Sequence, residues 1–482
     1  MDPLEAAREI LPAWVIWGPL YSYLPLIFVW ALVFTAAGAA LGGLPPARTQ
    51  EEAPNSWVER ARRAYPARLG TALLATFLPL FAAMIAWLFA GYLLPIGSAG
   101  LATLAFVSAW LGCAVVRYRV ERRILGALTA RLFVSGTLVR WLFFLWPLLL
   151  ILFANLAADD RFGARSALVL GVTGVCFAAL SFGANISIGR WVGLVEHADA
   201  RVVAIVDRVA ASVGRAPSGV WVAKTGLANA WILIIGRELL WTSRALEVLD
   251  DDELAAITAH ELGHLSESRR VRSLRILRLM LFLPLCAARP IAGEFGIGTV
   301  ALLIAGFLFS MVALGRTTRR MESRADHVAH AHQGDAGTYA RALERLYRAN
   351  QSPAVTRGRG GVHGHLYDRL TAAGTTPGYP RPAPPPRWRS SAASVLPLGV
   401  GVFALLIARI LIVVWVSLAS SQGATLVGAA FGGLDHQMLE TLAEQADSRG
   451  ELHDADVFFA AADFVLPTQP EPTPPDPFDR SE

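Results

Sequence analysis

Apolar residues in this chain come in long blocks. Runs near 18–43, 69–93, 99–116, 141–158, 166–186, 296–315 and 395–420 approach or exceed the roughly 20 mostly apolar residues a helix needs to cross a bilayer. A weaker run, 274–288, is interrupted by Arg275 and Arg278. Between 187 and 250 the pattern changes. VEHADARVVAIVDRVAASVG is helix-like, and VWVAK and WILIIG are short β-branched and aromatic runs suited to strands. Further on, 377–394 is a proline-rich linker. Residues 434–466 have the pattern of two short amphipathic helices, and 467–482 form a proline-rich acidic tail expected to be disordered. The pattern predicts a multi-pass α-helical membrane protein with an α/β, mostly helical, domain on one side. An N-terminal membrane region of about five spans covers 1–186. The domain covers 187–376 and is interrupted by a membrane hairpin at about 274–315. A last span follows at 395–420, then the C-terminal segment 421–482.

Composition agrees and adds orientation. The chain is 54% hydrophobic and 17% charged, against roughly a quarter charged in soluble domains. Its net charge of +5 rests on arginine, because Lys224 is the only lysine. In a membrane protein such an excess marks cytoplasmic loops. The expected environment is therefore a lipid bilayer, and no nucleic-acid partner is expected. The connections 44–68 and 117–140 are arginine-rich, 94–98 is uncharged, and 159–165 is balanced. These charges put both arginine-rich connections in the cytoplasm, the N-terminus outside, and 187–273 in the cytoplasm. The opening MDPLEAAREI is acidic, so the first run is expected to be an anchor and not a cleaved signal peptide. Cys113, Cys176 and Cys286 all sit in apolar runs and are expected to be packing residues. Arg409, inside the last run, is a costly intramembrane charge.

The chemistry concentrates in TAHELGHLSE, 258–267. Asp250 and Glu253 have capping-box spacing, so a helix starting there can carry the whole stretch. On it His260 and His264 are four apart and share a face, a spacing that lets both reach one zinc ion. Glu261, between them, is placed to act as general base on water. A catalytic zinc needs a third protein ligand. The position where metzincins carry another histidine is Arg270, which excludes that class. Residues 319–330, RRMESRADHVAH, offer Glu322, with Asp326 one turn on to orient a ligand histidine. His327, His330 and His332 are rival ligands in the same region. If Glu322 joins the histidines, the chain between them crosses the membrane twice or not at all, which is why 274–315 is expected to be a hairpin.

Together HELGH (260–264) after DDELAAITA, ESRAD (322–326) and the intervening hairpin resemble the HtpX-like integral-membrane zinc metalloproteases, with CAAX prenyl endopeptidases as relatives. The likeness covers roughly 190–375. It implies a zincin-like peptidase domain with His260, His264 and Glu322 on Zn2+ and Glu261 as catalytic base. It also implies Asn229 and Ala230 at an edge strand that binds substrate backbone. VHGHLYDRL (362–370) resembles a later family segment and aligns His363 and Arg369 as candidate oxyanion stabilisers, with Gly364 where the family has proline. The implied activity is endoproteolysis of membrane or misfolded proteins in a bacterial cell membrane, with the catalytic domain cytoplasmic.

Other classes fit less well. An intramembrane protease buries its motif in an apolar span, whereas LDDDE and SESRR flank this one. A sensor-transducer with a protease domain needs a folded external domain, for which 421–482 is short and polar. A non-catalytic scaffold would tolerate loss of Glu261, which is present.

Overall fold

A computed structural model describes residues 13–44, 56–93, 98–356 and 364–419. The apolar blocks become helices α1 (Ala13–Gly42), α2 (Ser56–Leu93), α3 (Ser98–Leu125) and α4 (Ala130–Arg140). A π-helical turn at Trp141–Leu145 joins α4 to α5 (Trp146–Ala157), and α6 (Ala164–Ser181) follows. Among the described residues six stretches are long and apolar enough to cross a membrane: Leu24–Gly42, Ser56–Ala86, Gly100–Leu125, Ala130–Ala157, Ala164–Ser181 and Arg387–Ile407. This is the multi-pass helical architecture the apolar blocks predict. Ile27, Ala31, Leu74, Leu78, Ala105, Ala109 and Cys113 bury themselves between the first three helices. The small residues let the backbones come close, which is where helices gain packing energy when the surroundings are also apolar.

The amino-terminal end of α2 leaves this bundle. Trp57, Val58 and Ala61 belong instead to the core of the α/β domain, and Arg60 Nε donates to Gln351 Oε1 at 2.8 Å. The domain begins with α7 (Ala184–Trp191), β1 (Val195–His197), α8 (Ala200–Val213), β2 (Gly219–Ala223), β3 (Ala230–Leu233) and β4 (Glu238–Thr242). Sheet order is β1-β2-β4-β3, with β2 and β4 parallel and the outer pairs antiparallel. Strand β4 is central and buries Leu239, Leu240 and Trp241 completely. Strand β3 is left at the edge.

After α9 (Ser243–Val248) comes α10 (Asp251–Gly263), which carries the HELGH motif. The Asp250 side chain accepts from the Glu253 amide, and Glu253 accepts in return from the Asp250 amide. This closes the capping box the spacing predicts. Helix α10 packs between α8 and α14 (Ile297–His332), with α15 (Thr338–Asn350) beside it.

The 274–315 segment departs from two clean arms. Its first part is broken into α11 (Arg269–Met280), α12 (Leu283–Cys286) and α13 (Ala288–Phe295). None of these is among the six long apolar stretches. Its second arm is apolar only over Ile297–Met311 and continues as one helix to His332. The turn between the arms is nevertheless fixed at the far end of α5. Asn155 Nδ2 donates to the Leu285 carbonyl at 2.9 Å, and the Arg289 amide donates to Asn155 Oδ1 at 2.7 Å. Arg289 also pairs with Asp160 at 2.6 Å.

The 377–394 linker is shorter than expected. Helix α16 (Leu366–Ala372) is followed by a proline-rich connection whose Tyr379 is buried against Trp57. Helix α17 (Arg387–Ala419) starts directly after Pro386, where the proline run ends. The chain divides into compact units 1–402 and 403–482, and of the second only helical residues to Ala419 are described. The amphipathic and acidic segments expected after 421, and the side chain of Arg409, lie outside the described residues.

Candidate metal centre

Helix α10 keeps α geometry to Gly263 and tightens into a 3-10 turn over His264–Ser266. His260 and His264 nonetheless present their rings together, with centroids 5.1 Å apart. Gly263 sits where α10 meets α14. A Cβ there would lie 3.2 Å from Ala325 Cα and 3.3 Å from Val328 Cβ. A glycine therefore lets the helices approach closely, and Ala325 follows Glu322 by one turn.

That approach brings Glu322 to the histidines. Glu322 Oε2 is 3.6 Å from His260 Nε2, and Glu322 Oε1 is 3.8 Å from His264 Nε2. One ligand atom from each of the three residues lies within 4.8 Å of the others, and all three side chains are buried. Ligand atoms about 2.0–2.1 Å from a tetrahedral zinc stand roughly 3.4 Å apart, so the spacings match a metal site to a few tenths of an ångström. Two imidazoles and a carboxylate also form a donor set suited to a borderline-soft divalent ion. The rival histidines are placed elsewhere: His327 is exposed, His330 packs edge-on against Tyr339, and His332 Nδ1 faces the Val328 carbonyl.

Each histidine is held from behind. His260 Nδ1 lies 2.8 Å from the Tyr339 hydroxyl and 3.1 Å from Asp326 Oδ1. The Tyr339 hydroxyl donates to Asp326 at 2.7 Å. Arg369 donates to both Asp326 oxygens, at 2.9 and 2.6 Å, and to Tyr339 at 2.7 Å. On the other ring, His264 Nδ1 lies 3.2 Å from Glu267 Oε1, which also accepts from Arg275. A carboxylate on Nδ1 fixes the tautomer that turns the Nε2 lone pair toward a ligand position.

The electrostatics follow from these contacts. Burial by itself would lower the His260 pKa, but Asp326 and Glu322 outweigh it and push it up to about 9 in the metal-free protein. Burial would raise Asp326, yet His260 and Arg369 hold its carboxyl well below the usual range. Tyr339 is held well above its ordinary value, mainly by burial.

Residues 196–396 match the model of Peptidase family M48. A "Protease HtpX homolog" of Thermoplasma volcanium is 28% identical over 166 residues, which cover 32% of this chain and 54% of that relative. This segment is thus similar to Peptidase family M48 and to its HtpX-like members. The chain spans about half the length of that curated relative.

Within this segment the remaining expected residues fall as follows. Glu261 Oε2 accepts from the Ile232 amide at 3.0 Å, which sets the carboxylate against edge strand β3. Asn229 is exposed with its backbone bonded to Thr242, and Ala230 is buried at the start of β3. Arg369 spends its donors on Asp326 and Tyr339, behind His260. His363 lies outside the described residues. Sequence patterns did not point to Tyr339, which stands alone on α15 with no motif around it. Nor did they point to Glu267 and Arg275, although Glu267, three residues after His264, was available to a search for second partners.

Beside the centre a cavity of about 450 Å³ opens along β3. Ile232, Ile234, Val271, Leu279, Phe282 and Met321 are among its walls. Met321 directly precedes Glu322.

Proposed function

We propose that this protein is a zinc-dependent endopeptidase of the membrane, hydrolysing peptide bonds of membrane or misfolded proteins. The observation that carries the proposal is the meeting of three things at one point: the buried His260–His264–Glu322 set, the Glu261 carboxylate, and the free edge of β3. Zinc held by those three residues would polarise the scissile carbonyl and lower the pKa of water.

The chain's own groups do the rest. Glu261 takes the proton of the attacking water and returns it to the departing amine. The Ile232 amide that touches Glu261 lies on the unpaired side of β3, so a substrate laid along that edge as an added strand passes the carboxylate directly. Asn229 and Ala230 begin that edge. The apolar cavity beside it favours substrates with bulky apolar side chains, as membrane segments and unfolded chains have. Asp326 and Arg369 position His260. In this arrangement Arg369 is a positioning residue and not an oxyanion stabiliser, which leaves His363 as the candidate for that role. The arginine-rich connections support a cytoplasmic peptidase domain.

The test is proteolysis of casein by the full-length, detergent-purified protein with and without chelator, alongside Glu261→Gln. Cleavage that stops with chelator and in Glu261→Gln, while that variant keeps its metal, is the expected result. The loss should appear in the turnover rate. A Glu261→Gln protein that still cleaves at the wild-type rate would overturn the proposal.

A further inference from the structure

The candidate metal centre does not account for a second group of buried charges, where α3 meets α4. Three arginines, Arg68, Arg117 and Arg140, share this region with one carboxylate, Glu121. Arg68 is the arginine that pairs with it directly: its Nε donates to Oε1 at 2.9 Å and its Nη2 sits 2.8 Å from Oε2. Arg117 and Arg140 face a cavity of about 300 Å³ that Glu121 also lines, with Leu128, Phe133 and Trp231 among its walls, so two guanidinium groups there meet one carboxylate already paired with Arg68. Arg117 lies over the Phe133 ring at 5.9 Å, and its Nε is buried without a hydrogen-bond partner. A charge in apolar surroundings is costly unless an opposite charge meets it, and among the described residues neither guanidinium has a carboxylate of its own.

The position of the pair narrows the ligand. Arg117 follows the apolar run 99–116, and Arg140 precedes the apolar run 141–158. Both therefore stand at the same edge of the apolar layer, the depth at which lipid phosphates lie. Basic pockets between membrane helices at that depth suit anionic headgroups, and a guanidinium matches phosphate with paired, charge-assisted donors. The volume is at the low end of the range for small-ligand pockets, roughly 300–1,000 Å³, and its walls are mostly apolar. We infer that this cavity binds a phosphate-bearing anion through Arg117 and Arg140, with the apolar walls receiving the start of an acyl chain when the phosphate belongs to a lipid.

The full-length protein, stripped of lipid in detergent, would be titrated with short-chain phosphatidylglycerol, phosphatidylcholine of equal chain length, and inorganic phosphate, following its thermal midpoint. Binding of phosphatidylglycerol, weakened roughly tenfold or more by Arg117→Gln/Arg140→Gln through loss of charge-assisted hydrogen bonds, supports the lipid source. An equally sensitive response to inorganic phosphate supports a free phosphate in the same cavity. Equal binding of phosphatidylcholine and phosphatidylglycerol, or binding unchanged in the double variant, overturns the inference. If the double variant does not fold, Leu132→Trp, which fills the cavity from its wall, must block the same response. Unimpaired binding in that variant also overturns it. Arg122→Gln/Arg123→Gln, both exposed on the same helix, should bind as the wild type does.

Discussion

His260 and His264 come from adjacent turns of one helix, but the protein holds them by different means. His260 is backed by groups distant in sequence, Asp326, Tyr339 and Arg369, which bind one another as well as the ring. His264 is backed by Glu267 three residues on and by Arg275 from the next helix. One side of the centre is thus tied into the domain core, where Tyr339 is almost fully buried. The other side is tied to α11, which also walls the apolar cavity. The difference teaches that rigidity is concentrated at His260, and that the side facing the cavity is held by fewer and more local bonds.

The largest expected effect follows from that asymmetry. Removing a partner behind a ligand histidine lowers metal affinity by roughly 10–100-fold, and Asp326→Ala should sit at the upper end. It also strands the buried Arg369 charge, a loss of about 3–5 kcal/mol. Glu267→Gln should sit near the lower end, because Arg275 is more exposed and can turn to water. Metal titration of chelator-treated protein with denaturant unfolding measures both. Equal losses, or a larger one at Glu267, would break the comparison.

The pH dependence belongs to the His260 side. Its pKa is raised from an ordinary 6.5 to about 9 in the metal-free protein. A raised histidine pKa gives stability that is fully present below the unfolded value and is lost as pH climbs through the folded one. Chelator-treated protein should therefore lose stability from about pH 6.5 to 9. The metal competes with this proton, so apparent affinity should rise by up to about tenfold per pH unit in the same window. In Asp326→Ala both slopes should flatten, and in Glu267→Gln both should persist. A wild-type midpoint that is flat over that window would remove His260 as the group responsible.

How much of this was legible in the sequence follows the same division. The spans were legible because about 20 apolar residues in a row have few alternatives. Helix α10 was legible through its cap, and Glu322 and Asp326 through a motif that places both on one helix face. Strands β1 and β4 were not. Strand β1 has only three residues, and β4 is central and buried from Leu239 to Thr242, so it lacks the alternation that marks a half-buried strand. Tyr339 was invisible because its role depends on α15 lying against α10, a tertiary contact no local pattern records. The breaks in the hairpin's first arm at 281–282 and 287 were not legible because they fall in apolar sequence, and its turn is fixed by Asn155 and Asp160, which lie at and beyond the end of α5.

A smaller effect is expected where the two sides meet at Gly263. A methyl there meets Ala325 and Val328 of α14 at 3.2 and 3.3 Å, and both contacts are on or next to backbone. Overpacking of this kind costs about 1–3 kcal/mol. Because α14 carries Glu322, Gly263→Ala should move a metal ligand by tenths of an ångström. Metal affinity should fall several-fold and the slope against pH should flatten in part, since Asp326 stands on α14 with Glu322 and shifts from His260 along with it. Loss of stability without any loss of affinity would mean that the ligand position does not depend on this approach.

The smallest effect is the sharpest test of the comparison. Among the described residues no hydrogen bond joins the groups behind His260 to those behind His264: Asp326, Tyr339 and Arg369 bond to one another and back His260, whereas Glu267 and Arg275 bond to each other and back His264. Independent sites add to within roughly 0.3–0.5 kcal/mol, whereas members of one network couple by 0.5–3 kcal/mol. A double-mutant cycle of Tyr339→Phe with Glu267→Gln, read in the unfolding free energy of chelator-treated protein, should therefore close within about 0.5 kcal/mol. The metal-free protein is the right reference, because a shared ion would couple the two sides through itself. The same cycle between Tyr339→Phe and Asp326→Asn, within one network, should show the larger coupling. Should the cross-centre cycle couple as strongly as the internal one, the two histidines would be held by a single network, and the softer side facing the cavity would not exist.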